Sequence, residues 1–208
     1  MLIGLSGAHR SGKTTVMESL RSMTGMPTLK TSTAKLVERL GIDLAKPMTL
    51  VSRIEFQTAV FENYVEEIGK ARSGGASLIV DRTPVDMAAY LLAEVGMSSH
   101  KALGDRGIQA VNAYAELCRD YLRENFAFVF VLRPLPVYEV EPNKPAPNFA
   151  YQQHYQMVIE GFLAALQGQL DYAIVPFTDH DSRVAAIKQI MTKVADQVAK
   201  KGKRATLH

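Results

Sequence analysis

Gly7-Ala8-His9-Arg10-Ser11-Gly12-Lys13-Thr14 decides the fold of this chain. The stretch fits G-x-x-x-x-G-K-[ST] at every fixed position. The apolar run Leu2-Ile3-Gly4-Leu5 precedes it, and Val16, Met17 and Leu20 follow at helical spacing. Strand, glycine loop and helix therefore come in succession. Glycines let the backbone wrap without Cβ clashes, so successive N–H groups turn inward as a nest for an anion. The start of the helix adds partial positive charge at the same point. Lys13 then reaches the β- and γ-phosphates of a nucleotide, and Thr14 holds Mg²⁺ through its hydroxyl. Gly7 through Thr14, with Thr15 beside them, are the expected nucleotide-binding residues, and ATP and Mg²⁺ the expected cofactors. The competing reading is a glycine turn that only packs a helix onto a strand. The flanking strand and helix favour the phosphate loop.

Composition narrows the remaining classes. The chain has 208 residues, 47% hydrophobic and 22% charged, which predicts one globular domain over 1–208 with a full core. A net charge of +3 is too mild to argue for a nucleic-acid or membrane partner. The single cysteine, Cys118, excludes an intrachain disulfide and disfavours a cysteine metal site. Its helical neighbours Leu117 and Leu122 make it a small core hydrophobe. No apolar run approaches the ~18 residues of a membrane span, and the start does not read as a signal peptide. A cytoplasmic enzyme is expected, in the host cytoplasm if viral. A homodimer is left open.

Strands and helices alternate along the chain. Thr28–Ser32 reads as a second strand and Ala34–Leu40 as a helix closed by Gly41. A long helix is predicted over Leu50–Arg72 and ends at Gly74-Gly75. Leu78-Ile79-Val80 is a continuous apolar strand, as expected where both faces are covered. Pro84 opens the next helix, through Leu92. A further helix covers Ile108–Arg123, and Phe126–Leu132 is the most β-like run in the chain. Five prolines between Arg133 and Phe149 rule out a regular helix or central strand and suggest a lid over about 133–150. Tyr151–Leu170, Ala173–Phe177 and Val184–Val198 read as helix, strand and helix, followed by a solvated basic tail from Lys200 to Arg204. The pattern is α/β, with a parallel sheet of about five strands.

Sites in such sheets lie at the carboxyl ends of the strands. The third strand ends in Asp81-Arg82. Asp81 suits Mg²⁺, or the proton of an attacking hydroxyl; its alternative role is to cap the helix after Pro84, for which Thr83 competes. Arg82 suits an anionic phosphoryl group. Arg133, at the end of the fourth strand, is either catalytic or half of an ion pair. Between Arg133 and Leu170 only it and Lys144 are cationic. On the long helix Arg53, Phe56 and Gln57 cluster. The Gln57 amide can read a base edge, and Phe56 or Tyr64 can stack on a base.

The stretches GAHRSGKTT, TSTAKLVERLGID, EFQ and LIVDRTPVDMAAYLL resemble P-loop kinases of nucleosides and nucleoside monophosphates, above all the small branch found in bacteriophages and beside nicotinamide riboside kinases. The likeness runs from Met1 to about Leu92 and weakens beyond Phe126 to the order of elements. It implies a three-layer P-loop NTPase fold with a short lid loop. It places Asp81 and Arg82 in metal, base and acceptor roles, and Phe56-Gln57 on the acceptor base. The family's Asp-Gly-x-Arg lid has no counterpart in Val140-Glu141-Pro142-Asn143-Lys144; Arg133, Arg10 or Lys144 would have to substitute for its arginine.

A signalling GTPase needs Asn-Lys-x-Asp, and Asn143-Lys144-Pro145-Ala146 lacks the aspartate. Nothing marks a packaging motor. Within kinases, Lys30, Arg39, Arg53 and Arg82 near the acceptor favour a deoxynucleoside monophosphate, with Mg²⁺-assisted in-line transfer. The alternative acceptor is a hydroxyl: a free deoxynucleoside, or a hydroxymethylated pyrimidine of phage DNA, the one case in which DNA is a partner.

Overall fold

The computed structural model describes residues 1–43, 46, 48–97, 104–136 and 148–205. Five strands, β1 (Leu2–Ser6), β2 (Thr28–Lys30), β3 (Leu78–Asp81), β4 (Phe128–Leu132) and β5 (Tyr172–Val175), form one parallel sheet in the order β2-β3-β1-β4-β5. The helices are α1 (Lys13–Thr24), α2 (Ala34–Leu40), α3 (Leu50–Ala71), α4 (Pro84–Met97), α5 (Asp105–Asn125), α6 (Phe149–Ala164) and α7 (His180–Ala205). β1 is central. Leu5 pairs with Asp81 and Ser6 with Val131, so the ends of β3 and β4 flank the phosphate loop.

Alternate residues of each strand feed two cores, which explains the uninterrupted apolar runs. Ile3, Leu5, Ile79 and Phe130 pack on Val16 and Leu20 of α1 and Ile187 of α7. Leu2, Leu78, Val80 and Val131 pack on the opposite face, against Tyr64 of α3, Leu91 of α4, Leu122 of α5 and Ile159 of α6. This is the expected three-layer α/β fold. Gly4 marks a close approach: a Cβ there would lie 2.4 Å from Thr83 Cγ2 and 2.9 Å from Phe126. The missing side chain lets the start of α4 settle against β1. Cys118 is fully buried and burial pushes its thiol up to about 12, in keeping with a core role.

Several boundaries move. β4 begins at Phe128 because the Phe126 amide instead closes α5 on Leu122 O. α6 ends at Ala164 rather than Leu170. Gly168 turns left-handed at φ +80°, and the intervening turns fold Leu166 and Leu170 into the core. β5 stops at Val175, before Pro176, which has no N–H to give a ladder. α7 begins at His180, four residues early, because Asp179 Oδ1 accepts the Ser182 N–H. Its backbone stays helical through Ala205, where the sequence suggested a tail. Of the expected lid only residues 133–136 and 148–150 are described; the rest, Lys144 included, lies outside the described residues. Among the described residues no helix is long and apolar enough to cross a membrane.

Candidate active site

The phosphate loop is shaped by three left-handed residues: Gly7 at φ +145°, Arg10 at +58° and Gly12 at +78°. A Cβ on Gly7 would stand 2.3 Å from the backbone oxygen of Leu132. Gly7→Ala should therefore push the loop off the end of β4. Thermal melting should show a loss of about 1–3 kcal/mol, as for overpacked sites; an unchanged melting temperature would refute the close packing.

Three helices clamp the loop from outside. The Gly7 N–H donates to Asp86 Oδ1 (3.2 Å) and the Ala8 N–H to Gln156 Oε1 (3.0 Å). Gln152 Nε2 donates to His9 O at 2.6 Å, and Arg183 Nη1 to Ser11 O at 2.5 Å. The first two amides are thus spent on protein side chains. The first turn of α1, Lys13 to Thr15, supplies amides without intrahelical acceptors, since the first helical bond runs from Val16 N to Gly12 O. Lys13 Nζ arches over the loop and donates to Gly7 O (2.7 Å), Ala8 O (3.0 Å) and Ser11 Oγ (3.3 Å). Burial weakens its hold on its proton; Asp86 and Asp81 oppose this. Loss of water, then the charges of Arg82, Lys13 and Arg10, lower His9 to about 4, so its ring is neutral at neutral pH. It lies against Tyr90 and stacks on Tyr155.

The third strand meets the loop directly. Thr14 Oγ1 donates to Asp81 Oδ2 at 2.6 Å, and Asp81 is buried. Arg82 is left-handed at φ +77°, a conformation that costs a non-glycine residue about 1–3 kcal/mol. It is held there by its own N–H to Leu5 O and by the Tyr64 hydroxyl donating to its carbonyl. Its guanidinium sits over the Tyr90 ring, 5.7 Å from the centroid.

Thr83, not Asp81, caps α4: its Oγ1 accepts the Val85 N–H. Asp86 Oδ2 reciprocates by accepting the Thr83 N–H (2.8 Å) and hydroxyl (3.0 Å). One buried carboxylate therefore joins the start of α4 to Gly7. Burial pushes Asp86 above the usual carboxylate range, against the pull of Lys13 and the Thr83 amide. The sequence reading missed Asp86, although Thr83-Pro84-Val85-Asp86 has capping-box spacing.

A cavity of about 530 Å³ opens beside Arg82, between β2, α2, α3 and the start of α4. Arg53, Phe56 and Gln57 line it together, as the sequence suggested, and Phe56 and Gln57 are buried. Arg53 is paired with Glu94 at 2.9 Å. Arg133 does not line this cavity: its guanidinium is half-exposed and ion-paired with Glu160 at 3.2 Å. Thr15 is exposed. Gln152, Gln156 and Arg183 gave no sequence signal. They reach the loop from helices that begin more than 130 residues later.

No cluster of three or more His, Cys, Asp or Glu able to hold a metal occurs among the described residues. The Thr14–Asp81 pair offers two hard oxygens, which fits Mg²⁺ shared with nucleotide phosphates.

A family model described as an AAA domain matches residues 2–183. No curated protein sequence matches the chain. Among solved structures, a deoxyadenosine kinase from M. mycoides with products dCMP and a flexible dCDP bound is 15% identical, covers 93% of this chain and 100% of its own, and has a TM-score of 0.64. A thymidylate kinase from Candida albicans is 18% identical, with 92% and 91% covered and a TM-score of 0.61. One from Ehrlichia chaffeensis is 14% identical, with 92% and 98% covered and a TM-score of 0.59. At these identities the likeness is one of fold.

Proposed function

The chain belongs to the AAA domain family, and from that premise we propose that it transfers the γ-phosphoryl group of ATP to a nucleoside-type acceptor in the cavity beside Arg82. The observation that carries this is the 2.6 Å bond from Thr14 to Asp81, with the Arg82 side chain next in sequence on the cavity wall. A hydrolytic engine needs no such acceptor-sized cavity against its phosphate loop. Loop amides and Lys13 hold the donor phosphates. Thr14 and Asp81 would hold Mg²⁺, which when bound neutralises charge on the β- and γ-oxygens. Arg82 clamps the acceptor or the moving phosphoryl group. The acceptor oxygen bonds to the γ-phosphorus as the bond to the β,γ-bridging oxygen breaks. Arg133 stands at the edge of the loop. To assist, it would have to exchange Glu160 for a phosphate.

The acceptor has two readings. A deoxynucleoside monophosphate rests on four cations. In the structure Arg53 is neutralised by Glu94, and Arg39 reaches Asn63 from outside the cavity lining. Lys30 and Arg82 line it without an ion pair among the described residues. This smaller charge supports the hydroxyl reading: a free deoxynucleoside or a hydroxymethylated pyrimidine in DNA.

The test is γ-labelled ATP and Mg²⁺ with each deoxynucleoside, each deoxynucleoside monophosphate and hydroxymethyluracil-containing DNA. Label is expected in one of these classes. Label in none would refute the kinase reading.

A further inference from the structure

We infer that Glu67 selects the acceptor: its carboxylate accepts a hydrogen bond from a sugar hydroxyl and rejects a phosphate at the end of the cavity that it lines. The inference rests on the kinase reading. Glu67 Oε2 is buried and has no hydrogen-bond partner among the described residues. Glu67 itself belongs to the cavity lining. A carboxylate oxygen so placed, with its lone pairs unmet, is a demand for a donor.

The helix gives that demand a position. Phe56, Gln57, Val60, Asn63, Tyr64 and Glu67 recur at helical spacing along one face of α3, and all line the cavity. At ~1.5 Å per residue, Tyr64 lies ~10 Å and Glu67 ~15 Å along the axis from Gln57. The Tyr64 hydroxyl is fixed on the Arg82 carbonyl, so the reacting end of the cavity lies at the level of Tyr64. An acceptor whose base sits at Gln57 and whose sugar points toward Arg82 brings its far end up to Glu67. The Arg53–Glu94 pair lies at the opposite end of the face and cannot offset this charge. Lys30 lines the cavity but makes no ion pair with Glu67. A phosphate there would face a like charge in a partly desolvated site. A sugar hydroxyl would satisfy the orphan oxygen.

The test uses the full chain as wild type, Glu67→Gln and Glu67→Ala, with saturating ATP and Mg²⁺. The readout is the ratio of kcat/KM for hydroxyl acceptors, deoxynucleosides and a hydroxymethyluracil oligonucleotide, to that for deoxynucleoside 5′-monophosphates. The wild type should favour hydroxyl acceptors. Glu67→Gln removes charge at constant shape, and the ratio should fall ~10-fold or more, as expected when one nearby like charge in a partly desolvated site is removed. The fall should come through KM for the monophosphates. Glu67→Ala should raise KM for hydroxyl acceptors by a similar factor. Deoxynucleosides lacking the 3′-hydroxyl test that donor: the deletion should cost the wild type ~10-fold and Glu67→Ala nothing, and an equal cost in both would overturn the contact. If Glu67→Ala fails to fold, Glu67→Gln alone decides. A ratio unchanged in Glu67→Gln, or a wild type that favours monophosphates, overturns the inference while the kinase reading stands. Transfer to no acceptor overturns both.

Discussion

Lys13→Ala is expected to abolish measurable phosphoryl transfer, a loss of at least ~10²–10³-fold, the size seen when one stabiliser of developing charge is removed. Lys13 holds its ammonium over the phosphate loop, donating to Gly7 O, Ala8 O and Ser11 Oγ. A nucleotide entering the loop offers phosphate oxygens in place of these neutral acceptors, and charge-assisted bonds to them are roughly twice as strong. Alanine removes that exchange without removing the clamps on the loop, which run through Asp86, Gln152, Gln156 and Arg183. The variant should therefore keep its fold, melt below wild type by the loss of those three bonds, and bind ATP more weakly. Transfer within threefold of wild type would show that the phosphate loop is not the engine.

Arg183→Met should have the largest effect on stability. Arg183 is 1% exposed and donates to carbonyls of three separate segments: Ser11 in the loop, Arg133 at the end of β4 and Phe177 before α7. Among the described residues no carboxylate forms an ion pair with it. Methionine fills much of the volume but leaves the buried Ser11 carbonyl and two part-buried carbonyls without their charged donor, so a loss of roughly 3–5 kcal/mol is expected, at ~1–3 kcal/mol for each bond lost. For a chain of this size that is on the order of 10 °C in melting temperature. Lysine should recover little, because one ammonium cannot span three carbonyls as a planar fork does. ATP affinity should fall with stability, since Ser11 O belongs to the same peptide unit as the Gly12 amide. A melting temperature within 2 °C of wild type would contradict the strut.

What was legible in the sequence was what local rules govern. The glycine loop, the apolar strands and the Asp81-Arg82 strand end each have a period or a motif, and the structure puts Asp81 against Thr14. Phe56 and Gln57 share a helix face with Arg53, and three-to-four spacing alone brings them to one cavity. The clamps were not legible. Gln156 and Arg183 are single polar residues on amphipathic helices, and their partners are fixed by how α6 and α7 land on the sheet. Asp86 was legible in principle, through its spacing from Thr83, but a capping box does not reveal that its second oxygen holds Gly7. The charge balance of the cavity was not legible for the same reason. Counting cations cannot show that Arg53 meets Glu94 from another helix, or that Glu67 Oε2 has no partner among the described residues.

The central claim is that this chain moves phosphate from ATP to an acceptor rather than to water. Phosphorus NMR of the wild type with ATP, Mg²⁺ and the deoxynucleoside and monophosphate acceptors follows both fates in one sample. ADP and a new phosphorylated acceptor should rise together, with neither in Lys13→Ala. ADP rising with inorganic phosphate alone would make the protein a hydrolase and contradict transfer to an acceptor.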